Sequence, residues 1–169
     1  SGSVAVKREP VELSALIERQ LALDAPLLEQ RNQRLVKDLT PGIVVIGDAS
    51  LLGRVAGNLL SNASLYSPEG AEVRVWCGLL DGRPALTVEN TEAHISEKAL
   101  PHLFEAFYRE ETSRNRATGG SGLGLYLVKM ILARHGAECT IENTEDGVRA
   151  AVRFEMDAVS GLAAGNMIG

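Results

Sequence analysis

One stretch limits the possible folds more than any other: "GLGLYLVKMILARH", residues 122–135. At 3.6 residues per turn its apolar residues Met130, Leu123, Leu127, Ile131, Val128, Leu132 and Leu125 cover most of the circumference. Such a helix is expected to be buried, and the rest of the chain has to supply its cover. With aromatics at 4%, the core must be built from Leu, Val, Ile and Ala.

The other segments supply partners of both kinds. "VELSALIERQLAL" (11–23) has helical periodicity, which can run past Pro26 with a kink or a break there. A second helix is expected from an N-cap at Asp48 to about Tyr66, ended by "PEG" at 68–70. Residues 34–39 and 43–47 read as strands separated by a Pro41-Gly42 turn. Residues 71–80 and 83–90 alternate as a hairpin around Asp81-Gly82, and 137–143 and 148–156 as another around Asp146-Gly147. "EKALPHLFEAF" (97–107) reads as a short helical piece. Strand pairs interleaved with helices predict an α+β fold, a two-layer α/β sandwich whose mixed, largely antiparallel sheet is covered on one face by helices.

The length of 169 residues suits one globular domain, expected over 11–156. The opening "SGS" without Met reads as a cloning remnant, with a linker expected over 1–10, and 157–169, without periodicity, is expected to be a frayed tail. A net charge of −5 provides no overall field for nucleic acid or an anionic membrane. No apolar run approaches a membrane span, and no secretory signal opens the chain. Cys77 and Cys139 lie in apolar stretches without metal-ligand spacing, as buried reduced thiols or, less simply, one disulfide.

Three stretches could carry chemistry. "TGGSGLGL" (118–125) places four glycines before a helix, where backbone N–H groups and the helix dipole attract an anion; a flexible linker would look the same. It is neither a Walker sequence nor a Rossmann fingerprint. In "GNLLSNASLYS" (57–67), Leu52, Leu59, Tyr66, Val55 and Leu51 form an apolar stripe with Asn62 inside it and Asn58 at its edge. Their amides need a backbone carbonyl, a water or a ligand, and two neutral oxygens one turn apart suit Mg²⁺ that already carries phosphate. Arg109, Arg114 and Arg116 are phosphate clamps or a solvated face balanced by Glu105, Glu110 and Glu111. None of His94, His102 and His135 has a partner at catalytic or metal spacing.

In order and spacing these stretches resemble the catalytic and ATP-binding domain of sensor histidine kinases, the Bergerat-type fold. "NLLSNASLYS" is similar to that family's N box, "LFEAFYR" (103–109) to its F box and "GGSGLGLYLVK" (119–129) to its second glycine box. The wording between 88 and 129 resembles Gram-positive glycopeptide-resistance sensors. The resemblance implies ATP and Mg²⁺ as ligands, with Asn58 and Asn62 on the metal and phosphates and Asn58 as the catalytic position. It places Tyr66, Asn90 and Ile95 near the base and Arg109 on the phosphates, with an ATP lid over 109–121 that Gly120, Gly122 and Gly124 allow to close over the nucleotide beside Leu123. The acceptor would be a His on a separate dimerisation domain, since "AHI", "PHL" and "RHG" do not resemble an acceptor helix. A response regulator would follow, and the fragment would be the cytoplasmic part of a membrane-anchored sensor.

Departures lower the expected ATP affinity. The family's first glycine box reads D-x-G-x-G, whereas "NTEAHI" (90–95) puts Asn90, Glu92 and His94 at those positions. Leu65 replaces a basic residue common after the N box. Two rivals follow. The gyrase and chaperone ATPases carry a general-base Glu where this chain has Asn58, which cannot take a proton. A degenerate nucleotide domain acting as an interaction module rests on the altered "NTEAHI" alone.

Overall fold

A computed structural model of the chain describes residues 5–108 and 123–155. In chain order the elements are β1 (Glu9–Glu12), α1 (Leu13–Gln30), β2 (Arg34–Leu39), β3 (Val44–Gly47), α2 (Ala49–Leu65), β4 (Glu72–Leu80), β5 (Arg83–Thr91), α3 (Gly124–Ala133), β6 (Ala137–Asn143) and β7 (Gly147–Phe154). Five strands form one sheet in the order β2-β4-β5-β7-β6, parallel only between β2 and β4. The expected mixed, largely antiparallel sheet is present.

Strand alternation sends every second side chain to the helical layer. Val73, Val75 and Cys77 of β4, Leu86 and Val88 of β5, and Ala150, Val152 and Phe154 of β7 are buried there. They meet Leu16, Ile17 and Leu21 of α1, Leu52, Val55 and Leu59 of α2, and Val128, Ile131 and Leu132 of α3. Fully buried side chains such as Ile17 and Leu132 contribute roughly 2 kcal/mol each. Helix α2 is central, packing on α1, on α3 and on β5. On the opposite face Glu89 lies between Arg74 and Arg149, at 3.2 and 3.3 Å.

Several expectations need correction. Residues 9–12 form β1, antiparallel to β3, so Glu9 and Pro10 are paired strand residues and α1 starts at Leu13. Glu12 caps α1 by accepting from the backbone N–H groups of Ser14 and Ala15. Helix α1 then runs through Pro26 unbroken, giving up the one hydrogen bond that Pro26 cannot donate. Strands β2 and β3 flank the Pro41-Gly42 turn but go to different sheets. Within 97–107 only Leu100–His102 is helical, as a short 3-10 turn. Helix α3 buries one face rather than most of its circumference, and Met130 is 47% exposed. Its place over the edge strand β6 leaves it a helical neighbour on one side, α2.

The N-cap of α2 is Asp48, as expected, and it accepts from the N–H groups of Leu51 and Lys7 at 3.1 Å. Those bonds hold its carboxyl below the ordinary value. Its contribution to stability is therefore complete above the ordinary carboxylate range and is lost as pH falls through the lowered value. His135 is a buried helix-end residue, accepting from the Asp48 N–H at 3.0 Å through Nε2. Its Nδ1, 2.8 Å from the Ile131 carbonyl, then carries the proton. A Cβ at Gly47 would lie 2.6 Å from the His135 ring, which explains the glycine. The two cysteines are free, and burial pushes Cys77 up to about 11 and Cys139 up to about 12.

Candidate functional site

Helix α2 carries both asparagines, and Asn58 reaches the start of α3. The buried stripe is Leu52, Val55, Ala56, Leu59, Leu60, Ala63 and Ser64. Asn58 and Asn62 flank it and are half-buried, so Asn62 is beside the apolar stripe rather than inside it. Leu51 is also half-buried, and Tyr66, the C-cap, is 38% exposed.

The two amides differ. Asn58 Nδ2 donates to the Gly124 carbonyl at 3.3 Å, joining the helix to the first residue of α3. Asn62 makes no side-chain hydrogen bond among the described residues. The pair thus offers two carbonyl oxygens one turn apart, with no donor upon them among the described residues. Among the described residues no three His, Cys, Asp or Glu side chains group around a possible metal. A hard cation here would hold neutral amide oxygens and take the rest of its shell from phosphate and water, which is how Mg²⁺ is ordinarily bound. Residues 58 and 62 fit that ion.

A second group gathers at the end of the sheet. Asn90 closes β5 on the helix-facing side and is 7% exposed. Beside it in register is Val148 of β7, and beyond that Asn143 of β6. Asn143 grips Ile95: Oδ1 accepts from the Ile95 N–H and Nδ2 donates to the Ile95 carbonyl, both at 2.8 Å. Gly147 permits this closure, because a Cβ there would lie 2.1 Å from the Asn90 carbonyl oxygen. Sequence reading missed Asn143 and Gly147 as supports, although the repeated "ENT" at 89–91 and 142–144 is a visible signal.

Leu123 caps α3 and Gly124 opens it, and a Cβ on Gly124 would meet nothing within 4 Å. Arg109, Gly120, Gly122 and the expected lid over 109–121 lie outside the described residues, as does the tail at 157–169. Glu92 and His94 are exposed rather than packed into the cluster. His102 interacts with Glu105 at 2.7 Å and stacks on Tyr108. A groove of about 690 Å³ between α1 and α2, lined by Arg19, Gln20, Gly53 and Gly57, reaches Asn58 from the other side.

With that geometry in view, residues 47–160 match the family model described as histidine kinase-, DNA gyrase B- and HSP90-like ATPase. The chain belongs to this ATPase family. Its similar proteins narrow the placement within the family. The chain is 35% identical to the sensor protein VanSB of Enterococcus faecalis over 147 residues, 87% of this chain and 33% of that protein. It is 36% identical to the signal transduction histidine-protein kinase BaeS of Escherichia coli over 157 residues, 92% of this chain and 34% of that one. Among solved structures it is similar to the mycobacterial sensor histidine kinase MprB, with a TM-score of 0.74 and 29% identity over 87% of this chain and 96% of that chain. This is the ATP-binding catalytic domain of the sensor histidine kinase type, and it spans about a third of the length of the curated relatives it matches.

Proposed function

We propose that this domain binds Mg-ATP between α2, α3 and the end of β5, and transfers the γ-phosphoryl group to a histidine on a dimerisation domain of the same kinase. The observation that carries the reading is Asn62: a half-buried amide, unpartnered among the described residues, one turn from an amide already joined to α3. Asn58 and Asn62 hold Mg²⁺, which when bound neutralises phosphate charge. Asn90, Ile95 and Tyr66 border the base. Leu123 and Gly124, with Gly120, Gly122 and Arg109, close over the phosphates.

Phosphoryl transfer asks the protein chiefly for position and charge. The acceptor imidazole nitrogen attacks the γ-phosphorus, the bond to the β,γ-bridging oxygen breaks, and ADP leaves. Asn58 holds the phosphate end through its free oxygen while its amide nitrogen ties α2 to α3. It cannot take a proton from water, so the chain lacks at this position the base that a hydrolase needs. The full protein would be a membrane-anchored sensor of the Gram-positive cell-envelope type, with this domain on the cytoplasmic side and a response regulator receiving the phosphoryl group.

The test supplies the dimerisation domain in trans with ATP labelled at the γ-phosphate. Label is expected on that domain only, and Asn62→Ala abolishes it while melting within a few degrees of the parent. Label on the isolated chain refutes the separate acceptor. Undiminished transfer by Asn62→Ala refutes the assigned site. If the parent never transfers and both it and Asn62→Ala still bind the dimerisation domain, the interaction-module reading takes its place.

A further inference from the structure

Helices α2 and α3 are bonded to each other at two places, and the second is far from the nucleotide site. At the near joint Asn58 Nδ2 donates to the carbonyl of Gly124, the first residue of α3. At the far joint the backbone N–H of Asp48, the N-cap of α2, donates to Nε2 of His135, just past the end of α3. Asn58 lies roughly 15 Å along α2 from Asp48, and Gly124 about the same distance along α3 from His135. The helices therefore run antiparallel with one bond near each end of their contact. His135 is buried, and its Nδ1 donates to the Ile131 carbonyl, which holds the ring on its own helix with Nε2 left to accept. The chain also arrives here before β1 begins. Lys7 donates its backbone N–H to Asp48 Oδ2 at 3.1 Å, and Arg8 Nη2 donates to the carbonyl of Arg134, the C-cap of α3, at 2.8 Å. A guanidinium at the last carbonyls of a helix also suits the negative end of its dipole.

We infer that His135, through Asp48, and Arg8, through Arg134, are positioning residues for the nucleotide: the far joint fixes how α3 lies along α2, and with it the spacing of Asn58 and Asn62 from Gly124. The inference rests on the nucleotide site proposed above and concerns what keeps that site in shape. Between the joints the contact is apolar, made by residues such as Leu52, Val55, Leu59, Val128 and Leu132. Burial of such surface is non-directional, so it opposes separation of the helices more than sliding or rolling of one along the other. Two hydrogen bonds at separated points oppose both. The ring is closely seated as well, since a Cβ on Gly47 would lie 2.6 Å from it. Neither His135 nor Arg8 has a part in the phosphate or base contacts assigned above. Their effect on the ligand runs through the helices, where a misplacement of about 1 Å is enough to cost a large factor.

Two amides that each copy half of the imidazole separate positioning from stability. His135→Gln sets an acceptor where Nε2 stands and keeps the bond to Asp48. His135→Asn sets a donor where Nδ1 stands and keeps only the bond to Ile131. Each forfeits one buried hydrogen bond, so their melting temperatures should fall together. Isothermal titration with Mg-ATP, well below both midpoints, is expected to show His135→Gln within about twofold of the parent and His135→Asn weakened at least about fivefold. Equal affinity in all three overturns the inference and leaves the nucleotide site standing. Equal losses in the two variants assign His135 to stability alone and overturn it too. Arg8→Ala, at an exposed arm of the same joint, is the second measurement and decides the matter if neither His135 variant folds. It should bind at least about threefold more weakly with melting unchanged, and a dissociation constant equal to the parent's overturns the inference. A parent that binds no nucleotide overturns the site itself, and the inference with it.

Discussion

The same three residues stand at the ends of two strands, one on each side of β7, with opposite results. In Glu89-Asn90-Thr91, at the end of β5, the threonine is satisfied by Glu72 and the asparagine side chain makes no hydrogen bond among the described residues. In Glu142-Asn143-Thr144, at the end of β6, the asparagine makes two 2.8 Å bonds, and Thr144 Oγ1 is buried without a partner. The difference comes from position in the sheet. β5 has a strand on each side, so Thr91 reaches β4 and Asn90 is held under the helical layer. β6 is an edge strand, which leaves Asn143 free to grip the loop at Ile95. One triplet binds the chain to itself. The other is kept open.

The most severe way to break this contrast is at the residue that joins the two strand ends. A Cβ at Gly147 would overlap backbone, 2.1 Å from the Asn90 oxygen and 2.9 Å from Thr91 Cα, so no rotamer change relieves it. Gly147→Ala is expected to destabilise the fold by roughly 3 kcal/mol or more, about 10 °C in melting temperature. Asn143→Ala comes next. Losing both bonds to the Ile95 backbone should cost about 2 kcal/mol in chemical denaturation. Asn143→Asp keeps the acceptor but sets a carboxylate oxygen against the Ile95 carbonyl, and should cost at least as much.

The glutamates extend the comparison to the other face. The Glu89 side chain is 9% exposed between two guanidinium groups, whereas Glu142 is 64% exposed and 3.9 Å from Arg149. Glu89→Gln should cost about 1 kcal/mol and Glu142→Gln under about 0.5, the latter vanishing in high salt. Equal losses would mean that strand position does not separate the two triplets.

Much of this was legible in the chain. Period-2 and period-3.6 patterns identified the main helices and the larger sheet, because burial there follows periodicity. Strand β1 escaped because "EPVE" has a proline and two charges, and becomes a strand only against β3. The two Asp-Gly pairs looked alike and are not. Asp81 and Gly82 take positive φ in a tight turn, but Gly147 is glycine because another strand's backbone passes against it. Asn58 and Asn62 were conspicuous as polar residues in an apolar helix. The grip of Asn143 on Ile95 spans 48 residues, a separation no local pattern records.

The smallest effect on stability is the most informative. Asn90→Ala removes an amide that bonds to nothing described, so the lost packing is offset by relief of an unmet polar group. Its effect on unfolding should stay within about 0.5 kcal/mol, against about 2 for the same change at Asn143. If Asn90→Ala proved as damaging as Asn143→Ala, the amide would be holding the fold together, and a base would have no need of it. A neutral unfolding curve together with weakened nucleotide binding would place its value in the ligand. Buried polarity that the fold does not use is what a binding residue looks like before its ligand arrives.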